Sequence, residues 1–156
     1  MLITSINFSV SSLLQGLSQG VDWSARNVII DPQFGLGIVA KLIGAFALLW
    51  AILETQRYPE TKRLALRIIL FGLLSNMFGP LGWAHYFLLQ LLLLPALFSM
   101  MPRSSALATV FGFGLATSWM ALTLMRSWLP GDLPVALIFT TVFVVLFLTV
   151  LRKARP

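Results

Sequence analysis

Phe34-Gly35-Leu36-Gly37-Ile38-Val39-Ala40-Lys41-Leu42-Ile43-Gly44-Ala45-Phe46-Ala47-Leu48-Leu49-Trp50-Ala51-Ile52-Leu53 is an apolar run interrupted by one charge, Lys41. Wound as an α-helix it would be about 30 Å long, the thickness of a bilayer's hydrocarbon core. It predicts a membrane-spanning helix. Outward along the chain the same pattern returns at Trp83–Met101, Ala106–Met125 and Val135–Leu151, and in a shorter form at Leu64–Phe78. The expected fold class is therefore all-α, a polytopic transmembrane helical bundle of about five spans.

Composition agrees with this pattern. Of 156 residues, 58% are hydrophobic and 10% charged, and the mean hydropathy is +0.91. Such a chain cannot cover itself with the polar surface that a soluble domain needs. The net charge of +6 does not point to nucleic acid, because the basic residues sit between apolar runs and at the C-terminus. Cysteine is absent and histidine occurs once, which excludes disulfides, thiol catalysis, thiolate metal sites and a histidine-rich metal centre; neither metal nor cofactor is expected. Ser5, Asn7, Ser9, Ser11, Ser12 and Gln15 interrupt the N-terminal apolar residues, so no cleavable signal peptide is expected.

Five alternating helices place Arg57, Lys62, Arg63, Arg103, Arg152, Lys153 and Arg155 on one side, with Arg67 one turn inside its span. The opposite side keeps Arg26 and Arg126, and Lys41 is intramembrane. The positive-inside rule then puts the N-terminus outside and the C-terminus in the cytoplasm. The expected organisation is an outer-face amphipathic helix and loop over 1–33, a transmembrane domain over 34–151 and a basic cytoplasmic tail over 152–156. In the first part Val10, Leu13, Leu14, Leu17 and Val21 share one helical face, with Asn7 or Ser9 available as N-cap. A frayed terminus is the alternative.

Candidate site residues gather on the outer side. Gly79-Pro80-Leu81-Gly82-Trp83-Ala84-His85-Tyr86 breaks two apolar runs, and irregular backbone at membrane depth must meet water, protein or a ligand. His85 opens a helix directly after the break, where free N–H groups favour an anion such as a lipid phosphate; the alternative is an interfacial histidine bonded to a neighbouring helix. Trp83, Tyr86 and Gln90 form a stripe suited to a sugar ring, or belong to the aromatic belt. Asn76 either faces the same pocket or ties two helices together. Lys41 marks a ligand site or snorkels to the headgroups. Arg126 pairs with Asp132 or with a phosphate. Arg67 receives no function. Ala108, Gly112 and Ala116 form a small-residue packing ridge, and Pro95 is expected to bend its span.

The stretch Asn76–Ala96 resembles a run found in glycosyltransferase family 87, a small-Pro-apolar-small-Trp-x-His-aromatic sequence followed by an apolar helix with Pro-Ala. Asn7-Phe8-Ser9-Val10 through Leu14 is similar to that family's Asn-x-Ser segment. These are polyprenyl-phosphate-dependent membrane mannosyltransferases of the GT-C class. The chain departs from the family at Gly79 and Gly82, where serine is common, and at Tyr86, where a second histidine often stands. It also has no counterpart of the family's early outer loop with its catalytic carboxylate, so the expectation is the C-terminal part of such an enzyme, inactive alone. The resemblance implies transfer of a sugar, mannose by analogy, from a polyprenyl-phosphate donor to a lipid or glycan acceptor outside the cytoplasm, in a bacterial inner membrane. Under it His85, Trp83, Tyr86, Asn76, Arg126 and Lys41 are the donor or phosphate contacts, and no residue is nominated as catalytic base. The implied partners are membrane lipids, the donor and acceptor, and the missing N-terminal half or another membrane subunit. A small transporter or lipid-handling subunit, or a noncatalytic assembly protein, is the alternative.

Overall fold

In the computed structural model, which describes residues 2–3, 9–78 and 94–154, the chain is built almost wholly of helices. They are α1 (Val10–Ser18), α2 (Phe34–Thr55), α3 (Glu60–Phe78), a 3-10 turn (Leu94–Ser99), α4 (Arg103–Thr117), α5 (Trp119–Trp128) and α6 (Asp132–Lys153). Among the described residues the departure from all-α is a ribbon of two-residue strands, β1 (Leu2–Ile3) and β2 (Val28–Ile29). They run antiparallel, with Leu2 opposite Ile29.

Apolar length decides the two longest helices. Each has 22 residues, and over an 18-residue stretch of each the mean hydropathy is 2.3 in α2 and 2.6 in α6. At about 33 Å each, both are long and apolar enough to cross a membrane. They begin at the same end of the molecule, because Leu13 and Ile30, flanking the chain into α2, pack on Leu133 and Ala136 at the start of α6. At the other end the Tyr58 hydroxyl, just beyond α2, donates to the Ala154 carbonyl at 2.8 Å. Helix α3 returns between them, burying Leu66, Ile69, Leu70, Leu73 and Met77 at helical spacing. Helix α4 lies against α6, where the Phe113 and Phe143 rings meet edge to face at 5.8 Å. A Cβ on Gly112 would stand 3.2 Å from Leu146, so the expected packing ridge does work at Gly112 and at buried Ala116, whereas Ala108 is exposed.

Three expected spans take a different form. Ala106–Met125 is not one rod: α4 and α5 meet at an angle of 67°, with Ser118 extended between them (φ −75°, ψ 126°). The Thr117 hydroxyl bonds back to the Phe113 carbonyl at 2.9 Å, a competitor for helical hydrogen bonding that bends helices without proline. Counting this bent pair as one span gives up to three crossings among the described residues. Leu64–Phe78 lies within α3, but Glu60, Lys62, Arg63 and Arg67 occupy that helix's first two turns, and it is not among the helices apolar enough to cross. Of Trp83–Met101, residues 83–93 lie outside the described residues. The rest is the 3-10 turn, with Pro95 near its start where no N–H is needed.

Helix α1 starts at Ser9, whose hydroxyl accepts from the Ser12 N–H at 3.2 Å. Its inward face is Ser11, Ser12, Leu13, Gln15 and Gly16, and Leu17 is 44% exposed. The apolar stripe read from the sequence is buried in part: Leu13 lies in the core and Val10 and Val21 pack against it, whereas Leu17 faces outward. Ser11, Ser12, Gln15 and Gly16 complete the buried face.

Candidate functional site

The glutamine on this inward face positions the first site. Gln15 accepts from the Gln33 N–H at 2.8 Å and donates to the Gln33 carbonyl at 2.9 Å, while Gln19 donates to the Asp31 carbonyl at 2.7 Å. These bonds pin α1 to the chain entering α2. Two turns later comes Lys41. Its ammonium is exposed, and no carboxylate pairs with it among the described residues.

Lys41 stands where two recesses meet. One, of about 420 Å³, is bounded by Ser11, Gln15, Gln33 and Phe34. The other, of about 490 Å³, runs between α2 and α3 past Gly44, Leu48, Ile52, Phe71 and Leu74. Lys41 and Phe78 border both. Gly44 is required there, because a Cβ would come within 2.8 Å of the Phe78 ring. The arrangement suits an amphiphile: Lys41, with no carboxylate partner among the described residues, at the head, and an apolar channel of about 16 Å along α2 for a chain. Outside the groove α2 offers an apolar surface, with Phe46 73% and Leu53 62% exposed.

A second cluster forms at the Asp132 end. The loop after α1 turns at Asp22, whose carboxylate accepts from the Ser24 N–H at 2.9 Å and from the Ser24 hydroxyl at 2.8 Å. These bonds hold the Asp22 carboxyl below its ordinary value of 3.8, against a small opposing cost of burial. The turn delivers Arg26 to Asp132 at 3.1 Å. The other Asp132 oxygen accepts from the Asn27 N–H at 2.8 Å, with Asn27 at φ 50°, which asparagine tolerates. Arg26 also donates to the carbonyls of Arg126 at 2.8 Å and Leu129 at 3.0 Å. Gly131 permits the approach, since a Cβ there would run into the Trp23 carbonyl. Arg126 reaches Asp132 only through Nε at 3.7 Å, so the expected Arg126–Asp132 pairing exists but Arg26 is the stronger partner.

At the opposite end, Arg57 pairs with Glu54 at 2.9 Å and lies over the Tyr58 ring at 5.4 Å. Arg67 donates from Nε to the Thr55 hydroxyl at 3.0 Å. Its Nη2 is buried without a hydrogen-bond partner among the described residues.

The sequence-predicted residues divide accordingly. His85, Trp83, Tyr86 and Gln90, with the whole Gly79–Tyr86 break, lie outside the described residues, as does Asn7. Asn76 belongs to α3 and its side chain is outside the description. Lys41 and Arg126 are in separate clusters. Phe78, the last described residue before the break, borders both Lys41 recesses. Sequence reasoning missed Gln15, Gln33 and Arg26, whose partners follow no local spacing. Among the described residues no acidic or histidine cluster could hold a metal ion. No family model, curated protein or solved structure matches the chain.

Proposed function

We propose that the chain is a multi-pass membrane protein that holds a polyprenyl-phosphate sugar at the Lys41 groove, as the lipid-binding part of a membrane glycosyltransferase. The observation that carries this reading is Lys41, without a carboxylate partner among the described residues, at the junction of two largely apolar recesses, one of them also edged by Ser11, Gln15 and Gln33. An ammonium in low dielectric is costly alone and attracts phosphate strongly. The channel between α2 and α3 matches an isoprenoid chain, and the recess beside Ser11 and Gln33 leaves space next to Lys41 for the head. Under the resemblance, His85, Trp83 and Tyr86 follow Phe78 to complete the donor contacts, and a carboxylate from elsewhere activates the acceptor hydroxyl. Sugar transfer to an acceptor outside the cytoplasm, with mannose as the first sugar to test, is the reaction proposed. The bundle of five spans belongs to this reading, with the Asp132 end outside and the Ala154 end cytoplasmic in a bacterial inner membrane.

Lys41→Gln should weaken binding of a polyprenyl phosphate by the full chain in detergent about ten- to hundredfold, the worth of a charge-assisted hydrogen bond. It should leave binding of the uncharged polyprenol unchanged. Equal affinity of wild type and Lys41→Gln for the phosphate would refute the site. The 67° break between α4 and α5 favours a second reading, a subunit that handles lipid without transferring sugar. Donor binding without sugar transfer, in a complex that carries its acceptor, would select it.

A further inference from the structure

A separate groove of about 500 Å³ opens between Arg26 and Arg126, lined also by Trp119, Leu122, Thr123 and Ser127. Its electrostatics are unbalanced. Two guanidinium groups share one carboxylate, Asp132, which leaves one net positive charge among the three. Arg26 is engaged at both Nη atoms, with Nη1 on Asp132 and Nη2 on two carbonyls. Arg126 is not: its Nε is too far from Asp132 for a hydrogen bond. Among the described residues neither of its Nη atoms donates to any acceptor. With its side chain 36% exposed, Arg126 presents two unused donors to the groove, the fork that matches a phosphate. The hydroxyls of Thr123 and Ser127 donate to helix carbonyls, so the donors on offer here are those of Arg126.

The surroundings indicate where the phosphate comes from. Trp128 is 73% exposed and Trp23 48%, both beside the Asp132 end, and Trp119, 71% exposed, lines the groove itself. Tryptophans are enriched in the headgroup layer of a membrane. We propose that Arg126 and its groove bind the phosphate of an anionic lipid headgroup in the leaflet at the Asp132 end. This site is independent of Lys41 and of sugar transfer, and rests only on the chain residing in a membrane.

The test uses the full chain carrying Lys41→Gln, so that the other cation does not contribute, and measures lipid retention by native mass spectrometry. The probes are phosphatidylglycerol, phosphatidylcholine and inorganic phosphate. Phosphatidylglycerol should be retained over phosphatidylcholine. Adding Arg126→Gln should lower its affinity roughly ten- to hundredfold with an unchanged unfolding temperature, and Arg126→Lys should restore part of it. Equal retention of the two lipids, or no effect of Arg126→Gln, would overturn the proposal. So would a fall in unfolding temperature that binding merely follows. Displacement of the lipid by millimolar inorganic phosphate would identify free phosphate as the ligand and overturn the lipid assignment.

Discussion

Asp132 joins parts of the chain that are 106 residues apart. Its side chain is 1% exposed, and it satisfies Arg26 and the Asn27 N–H while its own N–H donates to the Ala25 carbonyl at 3.0 Å. Removing one member of a buried ion pair costs about 3–5 kcal/mol. Because Arg26 keeps 34% of its exposure, Asp132→Asn should cost less, about 2–3 kcal/mol. A thermal or denaturant unfolding series in detergent measures this, and a loss under about 0.5 kcal/mol would show that the pair is only a surface contact. Local spacing suggested Arg126 as the partner of Asp132, and that contact is present. Arg26 could not be read from the sequence, since nothing in the chain between it and Asp132 encodes how the Asp22 turn aims it.

Helix α1 mixes two kinds of residue on its buried side. Leu13 is buried together with Ser12 and Gln15, while Leu17 is exposed. The bonds of the Gln15 amide to Gln33 are what allow a polar side chain to be buried beside Leu13. Gln15→Leu should strand the Gln33 N–H and carbonyl and destabilise the chain by about 1–3 kcal/mol. Leu17→Gln should be tolerated in detergent solution, and the two unfolding curves decide between the faces. The reverse order of stability would show that Leu17, not Gln15, holds the helix in place. Helices α2 and α6 were legible because length and hydropathy alone determine them. The break at Ser118 was not, because Thr117-Ser118 carries no proline or glycine to signal it. Lys41 was legible as an anomaly, but its two recesses depend on α1 and α3 arriving beside it.

At the scale of the whole molecule, the helix directions sort the charges. Tyr58 and Ala154 join the end that holds Arg57, Lys62, Arg63, Arg152 and Lys153, while Arg26 and Arg126 share the other. Helix α4 runs against α6, with Gly112 level with Leu146 and Phe113 with Phe143, so Arg103 joins the basic end. This imbalance predicts that the Ala154 end faces the cytoplasm. The natural sequence has no cysteine, so single cysteines at the exposed positions Thr61, Ser104 and Pro130 report cleanly. Thr61→Cys and Ser104→Cys should react with an impermeant thiol reagent only after permeabilisation, and Pro130→Cys without it. Labelling in the opposite sense would invert the orientation. The Arg26–Asp132 tie also imposes a timetable on synthesis. At about 5–20 residues per second, Arg26 leaves the ribosome several seconds or more before Asp132 exists. During that interval the 22–27 loop has no anchor, and α1 lacks the Leu133 and Ala136 surface on which Leu13 rests. Helix α1 is thus made well before it can settle, because the surface on which it rests comes with α6.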